Sequence, residues 1–152
     1  MAGVIRSYQA ADCDDVLRVW ARASAVAHPF LSEEFLELER HNIPHVYLPN
    51  ADTWVWVADG RITGFISLLG NEVGAIFVEP AFHRSGIGRA LIAHARALRG
   101  ALEVEVFERN LQGRTFYARL GFKFVHKKVH DQTGFDVIRL RLTQGTPMPQ
   151  QP

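Results

Sequence analysis

Residues 83–89 read His83-Arg84-Ser85-Gly86-Ile87-Gly88-Arg89 and open a segment with helical periodicity. Three basic side chains at a helix start pose a charge problem. That end of a helix carries about half a positive charge, and cations there cost roughly a few tenths of a kcal/mol each. A bound anion removes the problem. First-turn N–H groups lack intrahelical partners, glycines let a phosphate approach the backbone, and Arg84 and Arg89 become partners for its oxygens. A plain strand-to-helix turn with solvated arginines is the competing reading. A phosphate loop of the Walker type needs Gly-Lys-Ser/Thr, and no lysine follows Gly88, so nucleotide hydrolysis is not expected. A dinucleotide fingerprint needs a third glycine where Leu91 stands, in a parallel βαβ unit.

The surrounding elements make such a unit unexpected. Val4–Tyr8 reads as a first strand. Asp12 is placed to cap a helix whose apolar positions Val16, Leu17, Val19, Trp20 and Ala23 recur at helical spacing. Pro29 breaks that pattern. Ser32 before Glu33 and Glu34 reads as the N-cap of a second helix, which Pro44 and Pro49 are expected to close. Residues 53–69 form a hairpin about Asp59-Gly60, Gly70-Asn71 makes a second turn, and residues 72–80 form a strand ending at Pro80. An antiparallel meander therefore runs directly into the glycine loop. The helix that follows is expected to bury Ile87, Leu91, His94 and Leu98 and to stop near Gly100. Residues 101–107 alternate as a strand, which puts Glu103 and Glu105 on one face. Asn110 caps a helix to Leu120, and two last strands flank residues 130–136.

The chain has 152 residues, 47% of them hydrophobic, enough for one compact domain, read here as residues 1–143 with a disordered polar tail at 144–152. Its formal charge is +1, so no global field draws it to nucleic acid or anionic lipid. The one basic cluster, Lys123, His126, Lys127 and Lys128, reads as a solvated strand. Cys13 is the single cysteine, which excludes intrachain disulfides and cysteine metal clusters. Histidine spacing gives metal binding no support, since His126 and His130 lie at a strand end. No signal-peptide pattern and no bilayer-length apolar run is found, so a cytoplasmic location without membrane contact is expected.

Val78-Glu79-Pro80 followed by His83–Leu91 resembles the acetyl-CoA signature of the GNAT-type N-acetyltransferases. Glu105-Val106, Asn110, Phe116-Tyr117 and Gly121-Phe122 resemble that family's second conserved run, and small single-domain bacterial members are the nearest in character. The resemblance implies an α/β (α+β) fold: a mostly antiparallel mixed sheet of about seven strands flanked by about four helices. It implies acetyl-CoA as co-substrate, with no metal. The loop His83, Arg84, Ser85, Gly86, Ile87, Gly88 and Arg89 would hold the pyrophosphate. Backbone groups of Ile76, Phe77 and Val78 would meet the pantetheine arm, and Asn110 and Tyr117 would also contact the cofactor. His83 departs from the usual Gln or Arg, which makes that contact pH-sensitive in expectation. Tyr117 matches the tyrosine that protonates the leaving sulfur, with Phe116 expected in the core. Glu105 is the candidate base, its pKa raised by desolvation; a solvated strand face is the competing reading, Glu72 is a second candidate, and many family members need no dedicated base.

The same resemblance puts the acceptor site at residues 27–35 and 130–136. His28 and Phe30 are its expected substrate-binding residues, with His41, Trp54 and Trp56 as further wall candidates. The acceptor is a primary amine: a protein or peptide lysine, an N-terminus, or a small molecule. A non-catalytic acyl-CoA-binding module is the alternative, and the presence of Tyr117 argues against it. Both a monomer and a homodimer fit the sequence.

Overall fold

The computed structural model describes residues 3–143. It opens with β1 (Val4–Ser7), α1 (Cys13–Ala27) and α2 (Glu33–Asn42); a wide helical turn, Ile43–Tyr47, and one more turn, α3 (Leu48–Asn50), follow without a break. The meander is β2 (Asp52–Ala58), β3 (Arg61–Leu69) and β4 (Glu72–Val78). Then come α4 (Ile87–Arg99), β5 (Leu102–Phe107), α5 (Leu111–Arg119), β6 (Lys123–Val129) and β7 (Asp136–Leu142). One seven-stranded sheet runs β1-β2-β3-β4-β5-β7-β6. Its neighbours are antiparallel except β4 and β5. The expected mixed sheet is thus present.

Period-two alternation feeds two cores, one on each face. Ile66, Leu68, Val104 and Val106 pack under α4 and α5 with Leu91, Ile92 and Tyr117. Val55, Ile62 and Phe65 pack against Val16, Val19 and Trp20 of α1. The hairpin turn has positive φ at both Asp59 (53°) and Gly60 (72°), the geometry that matches strand twist. Among the described residues, no helix is long and apolar enough to cross a membrane.

Four local expectations need correction. Asp12 does not cap α1 with its side chain. Its carboxylate instead accepts from the Gln9 amide at 2.9 Å and pairs with Arg6 at 2.8 Å. Pro44 and Pro49 do not end the second helical segment; each sits in the first turn of the next helical piece, and the run between them widens to a turn in which the Leu48 N–H donates to the Ile43 carbonyl. Leu98 is 41% exposed; the buried stripe of α4 is Ile87, Leu91, Ile92 and Ala95. His94 lies at the side of that stripe, its ring 4.4 Å from that of Trp54. Trp54 and Trp56 pack into the α4-side core, so they do not wall the acceptor side. The tail at 144–152 lies outside the described residues.

Candidate active site

The parallel pair β4–β5 is short. Only Glu72–Glu103 and Val73–Val104 are in register. Just beyond, Ser67 faces Ala75 while Leu68 faces Val73, so Gly74 is the extra residue of a bulge. A bulge bends its strand and ends local pairing. Past Gly74 the two strands diverge, and Ile76, Phe77 and Val78 keep backbone groups that β5 does not take. Ile76 and Val78 turn toward the α4 side, Phe77 toward α1.

A cavity of about 970 Å³ opens at this divergence. Ile76, Phe77 and Val78 form one wall, the loop His83–Arg89 the floor, and Asn110 to Leu120 the opposite wall. Ala23 and Ala27 are the only contribution of α1, and their small side chains leave the space open. Of the expected cofactor residues, His83, Arg84, Gly86, Ile87, Gly88, Arg89, Asn110 and Tyr117 line it. Ser85 is exposed, with its hydroxyl turned to the Phe82 carbonyl, and does not.

The loop is held open by its backbone. Arg84 (φ 66°) and Gly86 (φ 91°) both occupy the left-handed region, and Gly86 is the N-cap of α4. No acidic residue stands in the first turn of α4, so its positive end faces the cavity uncompensated by side chains. A Cβ at Gly88 would come within 2.9 Å of the Phe116 ring, so glycine there sets the closeness of α4 to α5. His83 is not a free ligand of the loop. Its Nε2–H donates to the Val78 carbonyl at 2.9 Å, and its Nδ1 accepts from Gln112 Nε2 at 3.0 Å. It thereby ties the end of β4 to the first turn of α5.

Asn110 caps α5 by accepting from the Gly113 amide at 2.9 Å. Its Nδ2 donates to His28 Nε2 at 3.3 Å, and His28 Nδ1–H donates to Ser24 Oγ at 3.1 Å. The His28 ring stands edge-on to Phe30, Phe77 and Phe107. Burial among them pushes its pKa down to about 4, so it is neutral at pH 7. His28 and Phe30 are thus brought together beside the open end of the strands, whereas His41 lies on the exposed face of α2, its ring 4.6 Å from that of His45. These two histidines have a four-residue spacing on a helix, which the sequence analysis did not single out. Among the described residues, no group of three or more His, Cys, Asp or Glu is placed to hold a metal.

Tyr117 is 7% exposed and packs its ring on Phe116 and Phe122, both at 5.2 Å. Burial holds its phenol above the usual range, so it keeps its proton at neutral pH. The expected division of labour with Phe116 is reversed in burial, since Phe116 is the more exposed of the two. Glu105 does not meet the desolvation expected of it. Its side chain is 27% exposed, outside the cavity, and pairs with Lys128 at 3.1 Å and Arg139 at 3.5 Å. Cross-strand neighbours thus make this a charged sheet face, continued by Arg139 with Glu103 and Glu72.

Two features escaped the sequence reading. Glu79, 2% exposed, gathers Arg18 at 3.2 Å, Arg61 at 3.3 Å and Arg22 at 3.4 Å, and pins the exit of β4 to α1. Arg18 and Arg22 stand one helical turn apart, but Arg61 and Glu79 are too far from them in the chain to signal a cluster. Ser24 with His28 had a signal, an i,i+4 polar pair at a helix end.

A family model described as the acetyltransferase (GNAT) domain matches residues 49–124. The chain is 34% identical over 134 residues to the peptidyl-lysine N-acetyltransferase YiaC of Escherichia coli, covering 86% of this chain and 90% of that protein. It is 31% identical over 131 residues to the E. coli peptidyl-lysine N-acetyltransferase YjaB, covering 86% and 88%. The solution structure of apo YjaB superposes with a TM-score of 0.83 at 29% identity, covering 93% of this chain and 97% of that one. The PaiA N-acetyltransferase of Thermoplasma acidophilum, a coenzyme A complex, shares the fold with a TM-score of 0.73 at 19% identity, covering 95% and 99%.

Proposed function

The chain belongs to the GNAT family of N-acetyltransferases, and from that premise we propose that it moves acetyl groups from acetyl-CoA to lysine side chains of proteins or peptides. The observation that carries the donor half is the cavity at the β4–β5 divergence, floored by an acid-free helix start. An anion fits that floor, and a close backbone approach fits Gly86 and Gly88. The names of YiaC and YjaB support the acceptor half.

In this reading the amides of Gly86–Arg89, with Arg84 and Arg89, hold the pyrophosphate. The free edge of Ile76–Val78 holds the pantetheine amides, and an N–H there stabilises the developing oxyanion. When bound, acetyl-CoA supplies an acetyl group activated as a thioester. Tyr117 keeps a proton on Oη and gives it to the departing sulfur. His28 and Phe30 border the acceptor amine. Glu105 is left out of the chemistry, because its side chain lies outside the cavity and is paired with Lys128 and Arg139; the amine loses its proton to solvent.

Thermal melts with acetyl-CoA, CoA, ATP and NAD test the donor half. A ligand at about 100 times its Kd adds ~2.7 kcal/mol, so both CoA species must raise the melting temperature and NAD must not. Mass spectrometry of lysine peptides against small amines then tests the acceptor. Tyr117→Phe should lower kcat roughly 100-fold with an unchanged KM for acetyl-CoA. A melt shift without acetylation of any amine would favour a non-catalytic acyl-CoA-binding module.

A further inference from the structure

Asn110 is 8% exposed and lines the cavity, and its polar groups are nearly all spent. Its backbone N–H donates to the Phe107 carbonyl at 3.0 Å, and its own carbonyl accepts from the Arg114 amide at 3.0 Å. Oδ1 accepts from the Gly113 amide, and Nδ2 donates to His28. A carboxamide nitrogen carries two hydrogens, and among the described residues the second has no partner. We propose that His28 is a positioning residue: it holds the Asn110 carboxamide so that this second N–H points into the cavity and donates to a carbonyl oxygen of the pantetheine arm. This rests on the acetyl-CoA reading above.

The direction of each bond is set by atoms that can act in one way only. The Gly113 amide only donates, which puts Oδ1 toward α5 and Nδ2 toward His28. An amide nitrogen does not accept, so His28 Nε2 takes the hydrogen on its lone pair. The ring's own hydrogen is then on Nδ1 and goes to Ser24 Oγ at 3.1 Å. Burial keeps the ring uncharged at pH 7, its pKa pushed down to about 4, so the lone pair is available.

The support is rigid on every side. His28 ends α1, and Phe30, Phe77 and Phe107 meet its ring edge-on. The carboxamide lies against the first turn of α5, where a Cβ on Gly113 would come within 2.5 Å of Nδ2 and 3.0 Å of Cγ. The cap bond by itself fixes Oδ1 and leaves Nδ2 free to tilt; His28 removes that freedom. His28 is not among the residues that line the cavity, so its effect on the donor passes through Asn110.

The first test needs no variant. Nitrogen NMR of isotope-labelled wild type should show His28 protonated on Nδ1 and not on Nε2, and adding CoA should shift the Asn110 side-chain amide. Steady-state kinetics with acetyl-CoA and a lysine peptide then compare two variants. His28→Gln offers an oxygen near the place of Nε2, whereas His28→Phe keeps a ring and offers no acceptor. His28→Phe should raise KM for acetyl-CoA about five-fold, the worth of one ordinary hydrogen bond, while kcat moves less than about two-fold. His28→Gln should bring that KM back to within about two-fold of wild type. An Nε2–H tautomer overturns the inference, as does an Asn110 amide that CoA leaves unmoved. A KM for acetyl-CoA that His28→Phe does not change, or that both variants raise alike, also overturns it, the latter reducing His28 to packing. All of these leave the acetyltransferase reading intact. A wild type that binds CoA but acetylates no amine overturns that reading alone, and Kd for CoA then replaces KM in the same comparison. A wild type that does not bind CoA overturns both.

Discussion

The neutral His28 makes a prediction that can be worked through. Its imidazole has a pKa of about 4 in the fold, against 6.5 for an unperturbed histidine, because it is buried among Phe30, Phe77 and Phe107. Between those two values the unfolded chain binds a proton that the native state refuses. Stability contributed by neutral His28 is therefore complete above pH 6.5, declines as pH falls, and stops declining near pH 4. The slope within that window is ~1.4 kcal/mol per pH unit, so the total acid loss from this residue is roughly 3 kcal/mol. His28→Phe keeps an aromatic ring among the three phenylalanines but removes the titration. It also deprives Asn110 Nδ2 and Ser24 Oγ of their partner, at a cost of about 1–2 kcal/mol at neutral pH. Urea unfolding of both proteins at pH 7.5, 6.5, 5.5 and 4.5 separates the effects, since other groups titrate alike in each. The wild type should be the more stable at pH 7.5, and the variant should overtake it before pH 4.5. Parallel stability curves would refute the reasoning, as would a His28 NMR titration centred near the unperturbed histidine value.

Two further substitutions probe the parts that shape the cavity. Gly88→Ala places a Cβ 2.9 Å from Phe116 Cε1 and 3.0 Å from Cζ, so the ring must yield or α4 and α5 must part. Stability should fall by about 1–2 kcal/mol in urea unfolding, and KM for acetyl-CoA should rise about ten-fold; an unchanged KM would remove Gly88 from the proposed cradle. Glu79→Gln keeps the shape of the buried side chain but removes the counter-charge of three arginines. Arg22 and Arg61 are more than half exposed and hydrate readily, so the loss comes mainly from Arg18, and unfolding should become easier by about 2 kcal/mol. A loss below about 0.5 kcal/mol would mean that the cluster does not pin β4 to α1.

Much of the arrangement was legible before folding because it is local. The positive-φ requirement at Asp59-Gly60, the caps at Ser32 and Asn110, and the glycine-led start of α4 are all decided by a few adjacent residues. Alternation in residues 102–107 was equally readable, and Leu102, Val104 and Val106 are buried as it requires. What alternation cannot say is what the other face meets. Glu105 was expected to be desolvated beside the cofactor, yet Arg139 and Lys128, brought over by two later strands, make that face ionic. Asp12 turned to Arg6 for the same reason, since an ion pair across a turn competes with a cap.

The sequence by itself determined the family, the order of the elements and the glycine-led loop before α4, because each depends on short-range spacing. Only the tertiary structure decided where β4 and β5 part, that His28 reaches Asn110 across 82 positions, that Glu79 collects three distant arginines, and that every lysine lies on one free sheet edge. These depend on strand order and register, which bring together residues whose separation along the chain carries no signal of contact.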